Sequence, residues 1–352
     1  MGLRHRAGTR EPSNKGGYML SRNWKKTVFI AAAFIAVFSF TTYAQKSPVN
    51  AKGKPLSIAS VDFPQFQPYK VRTESEKKAC DDFGIKYTMF QPPEVTTQSY
   101  VDTISNVLEQ GFDAVIIEPW DWSGAFVPVL EKAKAKGIPL VSVHQKYPEA
   151  KYFISELYID NAGYGITAAE QIGKATGGKA NVLIMMNNAS IANQAVMRQS
   201  FADAIAKKWP GIKLIDTEFT NVDPITASNV LASALKAYPE IDTALWLEGA
   251  TVTTGLDVVK EAGVIDKVKV IGIDDPPDVI ASIGKGEAWG SFVQNFWKQG
   301  YEAVRNITDF YNKASFPKET DCGIVLVTKA NWQNYLPSMW APVAIKGKAY
   351  KK

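Results

Sequence analysis

Histidine and cysteine are scarce in this chain of 352 residues, and their scarcity limits the chemistry available to it. The two histidines are His5 and His144, and the two cysteines are Cys80 and Cys322. A Ser-His-Asp triad or a histidine-rich zinc site has almost no imidazole to use, and no C-x-x-C pair indicates a redox or metal motif. We therefore expect neither catalysis nor a metal ion. We expect two free thiols, with a disulfide as the alternative in an oxidising compartment.

Glycine is missing where a nucleotide cofactor would need it. The sequence predicts a first strand over Leu56–Val61, and the stretch VDFPQFQPYK at 61–70 contains aromatic residues and proline but no glycine. A dinucleotide-binding fold needs glycines in its first strand-to-helix turn so that the backbone can approach the pyrophosphate. The sequence therefore indicates no cofactor.

The N-terminal 44 residues have the pattern of a leader and signal peptide. Three basic residues between positions 22 and 26 precede the uncharged run Val28–Phe40, and small residues follow as far as Ala44. The apolar run is short for a membrane span, and the order of the three regions is typical of secretion. No cysteine directly follows the run to carry a lipid anchor at the cut, so we expect cleavage near Ala44 and a soluble periplasmic product. An uncleaved membrane anchor is the alternative, and Met19 could be the true start.

An excess of positive charge is absent once the leader is set aside. The whole chain has 40 basic and 35 acidic residues, and positions 1–44 hold seven of the former and one of the latter, which leaves a net charge of −1. Such a balance does not support a nucleic-acid partner. The remaining 308 residues are enough for two domains, because single cores rarely grow beyond this length.

The stretch 111–146 indicates a β-α-β unit. Ala114–Ile117 and Leu140–Val143 are short, β-branched runs, and apolar residues recur at helical spacing from Phe126 to Ala133 between them. Parallel strands of such units are covered on both faces, and ligands bind at their carboxyl ends. The side chains that follow these two strands are Glu118, Trp120 and Trp122, and then His144 and Gln145.

The same alternation of strand and helix continues along the chain, in two series of similar size. The further predicted strands are Lys86–Phe90, Tyr152–Ile159, Asn181–Met185, Lys213–Ile215, Thr243–Leu247, Lys269–Ile273, Gly290–Val293 and Cys322–Val327. This pattern predicts an α/β protein with two doubly wound parallel-sheet domains, with a single (β/α)₈ barrel as the alternative. In the second series Asn188, Glu248 and Asp274 follow strands.

Three segments carry a resemblance to a known family. GIPLVSVHQKY, LYIDNAGYGITAAEQIG and KVKVIGIDDPPDVIASIGKGEAWGSFVQN, in this order and spacing before a closing helix, resemble the periplasmic sugar-binding proteins of ABC transporters, of the ribose-binding type. Their type I periplasmic binding fold is shared in architecture with the lac repressor family. The resemblance implies a three-segment hinge near Ile159-Asp160, Gln294 and Asp321-Cys322. It places one lobe at 55–158 plus 295–320 and the other at 161–293 plus 323–345.

The resemblance also implies a ligand site between the lobes. The family has aromatic residues after the first strand, a carboxylate after the Val-Ile-Gly-Ile run and a glutamine at the second crossover. His144-Gln145 stands where the family has an Asp-Arg pair, and Met197 stands where it has a helix arginine, with Arg198 one position later. Together with the strand-end residues, the predicted ligand-binding set is Phe66, Tyr69, Glu118, Trp120, Trp122, His144, Gln145, Asn188, Arg198, Trp246, Glu248, Asp274 and Gln294.

Other roles stay open for several of these residues. Trp120 and Trp122 could pack at the rim of the cleft, Trp246 could belong to the core, and Arg198 could form a surface salt bridge. Asp274 and Glu248 could cap helices. The polar residue that the family has at the end of the preceding strand matches Glu248 or, with a shift of one residue, Gly249.

The function implied is an exported, monomeric, solute-binding protein that delivers a small neutral sugar or polyol to an ABC transporter permease. The alternative is a sensor that presents a sugar-like, nucleoside or furanose signal to a receptor kinase. A transcriptional regulator of this architecture would have an N-terminal helix-turn-helix, and the leader occupies that place. An anionic ligand is disfavoured because the predicted carboxylates outnumber the single Arg198.

Overall fold

The computed structural model describes residues 47–334. The predicted signal peptide and the basic C-terminal tail lie outside these described residues. The first half of the fold contains, in chain order, β1 (Ser57–Val61), α1 (Gln67–Phe83), β2 (Lys86–Phe90), α2 (Thr97–Val107), β3 (Ala114–Ile117), α3 (Val127–Ala135), β4 (Leu140–His144) and β5 (Phe153–Tyr158).

The second half repeats this alternation and ends with two short strands. Its elements are α4 (Asn161–Thr176), β6 (Ala180–Met186), α5 (Ala192–Lys208), β7 (Ile212–Phe219), α6 (Pro224–Ala237), β8 (Thr243–Trp246), α7 (Val252–Glu261), β9 (Lys269–Ile273), α8 (Pro277–Lys285), β10 (Gly290–Gln294), α9 (Phe296–Tyr311), β11 (Glu319–Asp321) and β12 (Ile324–Thr328).

The strands form two separate six-stranded sheets. The first has the order β11-β5-β4-β3-β1-β2, and the second has the order β12-β10-β9-β8-β6-β7. Neighbouring strands pair in parallel, except that β10 and β12 are antiparallel. Two sheets rule out a single barrel, and the prediction of two doubly wound α/β halves is confirmed.

Both faces of each sheet are covered, which explains why the strands are apolar throughout. In β1, Ile58 contacts the core beneath α1 and α9, whereas Ala59 contacts the core beneath α2 and α3. Successive side chains of a strand point to opposite faces, so a strand buried on both sides needs an unbroken apolar run. In the second sheet α4 and α5 cover one face, and α6, α7 and α8 cover the other.

The chain passes between the two sheets three times. It leaves β5 for α4 at Ile159-Asp160, leaves β10 for α9 at Gln294-Asn295, and leaves β11 for β12 at Cys322-Gly323. Asp160 begins α4 by accepting a hydrogen bond from the Gly163 N–H at 2.9 Å, as an N-cap residue does. The precise lobe boundaries remain a prediction, and residues 335–345 of the second predicted lobe lie outside the described chain.

Helices approach closely where glycine replaces a side chain. A Cβ atom at Gly165 of α4 would lie 2.2 Å from the Met197 carbonyl oxygen of α5. A Cβ atom at Gly300 of α9 would lie 2.3 Å from the Arg72 carbonyl oxygen of α1. These distances are shorter than any non-bonded contact allows, so glycine is what lets each helix pair touch through its backbones.

Several local predictions were wrong. The strand predicted at Lys213–Ile215 is the eight-residue β7, whose residues are partly exposed and therefore do not form an apolar run. The helix α8 was not predicted, although Pro277 in its first turn is a common start signal. Cys322 lies before the last strand and not in it, because that strand begins at Ile324. Cys322 and Cys80 are both free and buried.

Across residues 47–334, no helix combines the length and the apolar character that a membrane crossing requires.

Candidate functional site

A cavity of about 750 Å³ opens at the carboxyl ends of both sheets. In each sheet the strand order reverses between two neighbouring strands, β1 and β3 in the first and β6 and β8 in the second. Connections leave in opposite directions at such a switch point, so a crevice forms there. Residues that directly follow these four strands or lie near their ends, such as Phe63, Glu118, Asn187 and Glu248, line the cavity.

One wall of the cavity is aromatic. Phe66 and Tyr69 lie at the start of α1, with ring centroids 6.1 Å apart. The Tyr69 ring also packs against Phe296 of α9, with a centroid distance of 5.7 Å. Phe63 and Trp120 lie beside them at 5.7 Å. Flat apolar rings suit the C–H faces of a small ligand, and burying that area contributes roughly 25 cal/mol per Å². Phe63 and Phe296 were not predicted, although Phe63 is part of the aromatic stretch after β1.

A buried arginine lies behind this wall, and the sequence reasoning missed it. Arg72 of α1 is fully buried and donates from Nε and Nη2 to the two carboxylate oxygens of Asp62, at 2.9 and 2.8 Å. Nη2 also donates to Glu118 Oε2 at 2.7 Å. Burial opposes the charge, but the two carboxylates outweigh it and raise the pKa of Arg72 well above its usual value. Its charge is therefore already neutralised within the protein.

A chain of hydrogen bonds continues from Glu118 across the cleft. Glu118 Oε1 lies 2.7 Å from His144 Nδ1, and His144 Nε2 lies 3.0 Å from Gln294 Oε1. Gln294 Nε2 then donates to Asp274 Oδ1 at 2.8 Å. The chain begins at the ends of β3 and β4 in the first sheet and finishes after β9 in the second, and Gln294 stands at the second crossover between them.

Two of these residues have a backbone conformation that side chains rarely adopt. His144 has φ 69° and Asp274 has φ 64°, both in the left-handed region. They hold corresponding places in the two sheets, since β4 and β9 are each the second strand outward from the switch point on the same side. Left-handed residues other than glycine carry a conformational cost and cluster at functional sites.

The pKa values along this hydrogen-bond chain are shifted in opposite directions: that of Glu118 is lowered, and those of His144 and Asp274 are raised. Burial acts to raise the pKa of Glu118, but the charges of His144 and Arg72 and their hydrogen bonds outweigh it and lower the pKa to about 2. Burial acts to lower the pKa of His144, but Glu118 raises it above the usual value. At Asp274 burial is the largest cause and raises the pKa to about 7, with the neighbouring Asp275 adding to the effect.

Glu248 lines the cavity, but its oxygens are largely engaged by its own loop and by Thr220. Oε2 accepts from the backbone N–H groups of Ala250 and Thr251, at 2.7 and 3.3 Å. Oε1 accepts from the Thr220 hydroxyl at 3.1 Å and from the Thr251 hydroxyl. The carboxylate therefore orders the turn before α7, whereas Thr251 is the N-cap residue of that helix.

Amide side chains supply most of the remaining polar lining. Asn188 Oδ1 accepts from the backbone N–H and hydroxyl of Ser190, at 3.0 and 2.6 Å, and its Nδ2 donates to Asn187 Oδ1 at 3.2 Å. Gln194 Oε1 accepts from the Asn187 N–H at 2.7 Å. Gln145 is buried at the cavity wall, and its Oε1 has no hydrogen-bond partner among residues 47–334.

Ten of the predicted ligand-binding residues line the cavity, and three do not. Trp122 is 38% exposed and is not among the residues that line the cavity. Trp246 is fully buried in the core, and its Nε1 donates to the Thr251 hydroxyl at 3.2 Å. Arg198 donates instead to the Thr217 hydroxyl at 2.8 Å. Consecutive residues of a helix are rotated by about 100° from each other, so Met197 faces the cavity and Arg198 does not.

The comparison with known families bears directly on this architecture. The family model described as a periplasmic binding protein domain matches residues 73–313, which is more than half of the chain. This chain belongs to the periplasmic binding protein family. Family membership agrees with a periplasmic location, and the two parallel sheets described above are those of its type I fold.

Relatives of this periplasmic binding protein have names that describe sugar or polyol binding. The D-apiose import binding protein of Paraburkholderia graminis is 23% identical over 309 residues, which cover 87% of this chain and 96% of the relative. The xylitol-binding protein of Mycolicibacterium smegmatis is 28% identical over 204 residues, which cover 57% of this chain and 56% of the relative. The match therefore spans little more than half of that second relative.

Solved structures share the fold. An ABC transporter solute-binding protein from Burkholderia graminis, in complex with D-arabinose, has a TM-score of 0.74 and 24% identity. The likeness covers 80% of this chain and 97% of that one. A galactofuranose-binding protein has a TM-score of 0.72 at 20% identity, over 82% of this chain and 98% of the other.

Proposed function

We propose that this periplasmic binding protein captures a small neutral sugar or polyol in the cleft between its two sheets and delivers it to an ABC transporter. The observation that carries the proposal is the pairing of an aromatic wall with polar groups that have bonding capacity left. Gln145 Oε1 is buried and has no hydrogen-bond partner among residues 47–334, and the Asp274 carboxyl group lines the cavity with one oxygen bonded to Gln294 Nε2. A ligand with several hydroxyl groups and an apolar ring face would satisfy both kinds of surface.

The charge of the cleft favours a neutral ligand. No lysine or arginine is among the described residues that line the cavity, and Arg72 behind the wall is already bonded to Asp62 and Glu118. A phosphate or carboxylate buried here would lack the bidentate cation that such groups usually have, and an unpaired buried charge is costly. Hydroxyl groups can instead donate to Asp274 or the Gln145 carbonyl and accept from the amide N–H groups.

The relatives support the same chemical class. One is named for xylitol, a polyol, and another for D-apiose, a sugar, while a structural neighbour holds D-arabinose. Eight of the ten predicted residues that line the cavity stay proposed ligand contacts, and Glu118 and Glu248 act through the residues that they orient. We propose that the protein acts as a monomer, because ligand-contacting groups come from both sheets of one chain.

A thermal-shift panel of pentoses, hexoses, polyols, nucleosides, sugar phosphates and amino acids tests the proposal. A ligand that binds only the folded protein stabilises it by about 2.7 kcal/mol at a hundredfold excess over its Kd, which is enough to raise the melting temperature measurably. We expect at least one neutral sugar or polyol to do so. Stabilisation by a sugar phosphate or an amino acid alone, with every neutral sugar silent, would contradict the proposed ligand class.

A further inference from the structure

The hydrogen-bond chain from Glu118 to Asp274 allows only certain proton positions. Glu118 is an ionised carboxylate and can only accept, so the proton between it and His144 must be on Nδ1. Gln294 has one accepting oxygen and one donating nitrogen, and these face His144 Nε2 and Asp274 Oδ1 respectively. If Asp274 is ionised, the Gln294 N–H must point to it, and His144 Nε2 must then also carry a proton.

Two forms of the chain that hold the same number of protons satisfy every hydrogen bond. In the charged form His144 is an imidazolium, Gln294 donates to Asp274, and Asp274 is a carboxylate. In the neutral form one proton has moved from His144 to Asp274, and the Gln294 amide is turned over so that it donates to His144 and accepts from Asp274. The net charge is the same in both, but only the charged form presents Asp274 to a ligand as a pure acceptor.

The groups around His144 decide between these forms. Its ring packs against Tyr69 and Phe296, with ring centroids 5.9 and 5.1 Å away, and neither of these rings supplies a charge. Arg72 opposes a positive ring, whereas Glu118 and the more distant Asp274 favour it. The Arg72 charge is shared between two carboxylates at 2.7 to 2.9 Å, so its repulsion is compensated. Glu118 is thus the principal group that favours the imidazolium.

Asp274 has its own set of charged neighbours. Asp275 and Glu248 disfavour its ionisation, and burial does so more strongly. The Gln294 hydrogen bond and the charge of His144 favour it. The Tyr164 side chain also lies near Asp274, and its pKa is raised chiefly by burial, so it stays uncharged. Within this balance, loss of the His144 charge would move Asp274 toward its protonated state.

We propose that Glu118 is a positioning residue of the ligand site: by holding His144 as an imidazolium it fixes the orientation of the Gln294 amide and favours the ionised form of Asp274 on the opposite lobe. The inference rests on the proposed function, since Asp274 is taken as a ligand acceptor. It assigns Glu118 a role through other residues, in place of the direct ligand contact that the sequence predicted.

Nitrogen-15 NMR of the histidine rings tests the proposal without any ligand. The chain has two histidines, so in the His5→Gln variant of the full chain every imidazole signal belongs to His144. At about pH 7.5, above the ordinary histidine pKa of about 6.5, we expect both ring nitrogens of the parent to carry protons. A neutral ring with one protonated nitrogen would overturn the proposal even if no variant folds.

Two matched variants separate the role of Glu118 from a general effect of buried charge. Glu118 and Asp62 are both buried carboxylates bonded to Arg72 Nη2, at 2.7 and 2.8 Å, but only Glu118 contacts His144. In Glu118→Gln we expect the pKa of His144 to fall by at least one unit and the carboxyl carbon-13 titration of Asp274 to move upward. In Asp62→Asn we expect the His144 imidazolium to persist.

Three outcomes would refute this assignment. The pKa of His144 could be unchanged in Glu118→Gln, the imidazolium could be lost equally in Asp62→Asn, or the pKa of Asp274 could be the same whether or not His144 is charged. None of these bears on whether sugars bind. If the protein bound no sugar in the thermal-shift panel but showed the imidazolium, the proposed function would be contradicted and the role of Glu118 in the hydrogen-bond chain would be supported.

Discussion

Replacing Glu76 by glutamine should remove a large pH-dependent part of the stability of this protein. Glu76 is in α1 and is fully buried. Its Oε2 accepts from the Tyr87 hydroxyl at 2.7 Å, and its Oε1 has no hydrogen-bond partner among the residues that the structure describes. Burial, reinforced by the charge of Asp62, raises the pKa of Glu76 from 4.5 to about 7.

The sign and size of the effect follow from linkage. A carboxyl whose pKa is higher in the folded state binds its proton more tightly there, so folding is favoured at low pH and loses stability as pH rises. The loss begins near the unfolded pKa of 4.5 and is complete once pH has passed about 7. A rise in pKa from 4.5 to about 7 corresponds to about 3 to 4 kcal/mol, since each pKa unit is worth about 1.4 kcal/mol.

Urea unfolding followed by circular dichroism over a series of pH values measures this term. Glutamine has the shape of the protonated acid and keeps an oxygen for the Tyr87 hydroxyl. The free energy of unfolding of Glu76→Gln should therefore match that of the parent at about pH 4.5 and exceed it by up to about 3 to 4 kcal/mol at about pH 8. Glu74→Gln is the matched control, because Glu74 lies in the same helix but is exposed. Parallel curves for the parent and Glu76→Gln would refute the reasoning.

Two further predictions concern the hinge and the helix contacts. Polar groups from both sheets line one cavity, so a ligand that contacts both lobes should select a closed arrangement of them. Small-angle scattering should then show a smaller radius of gyration with saturating ligand. An unchanged scattering profile would indicate a rigid site. Gly300→Ala should destabilise the protein by about 1–3 kcal/mol in thermal melts, because the new Cβ would lie 2.3 Å from the Arg72 carbonyl oxygen. Helix propensity alone predicts the opposite, so a gain in stability would contradict the close approach of the two helices.

Much of the fold could be predicted from local patterns. Ala114–Ile117 and Lys269–Ile273 are strands with the predicted bounds, because an unbroken apolar run of four or five residues is too short for a helix and fits a strand buried on both faces. The edge strand β7 was harder to predict, since seven of its eight residues are partly or fully exposed and the apolar signal is weaker there. The short helix α8 was missed because the Asp-Pro-rich stretch before it indicates a turn.

The candidate site was predictable where it depends on strand ends and less so where it depends on packing. His144, Asp274 and Gln294 follow or end strands, so sequence order places them at the cleft. Arg72 lies six residues into α1 and gives no local signal, because only the fold brings Asp62 and Glu118 to it. Trp246 ends a strand as well, but its ring turns into the core over Gly255, where a Cβ would lie 2.1 Å from it.

The most direct test of the central claim is a calorimetric titration of the neutral sugar or polyol that stabilises the protein most. Parent, Asp274→Ala and Asp278→Ala are compared at the same pH; Asp278 carries the same charge four residues later, exposed in the first turn of α8. Losing a charge-assisted hydrogen bond costs about 1.5–3 kcal/mol, so Asp274→Ala should weaken binding about ten- to a hundredfold. Asp278→Ala should leave the affinity unchanged. An Asp274→Ala protein that binds as tightly as the parent would contradict the assignment of this cleft as the ligand site.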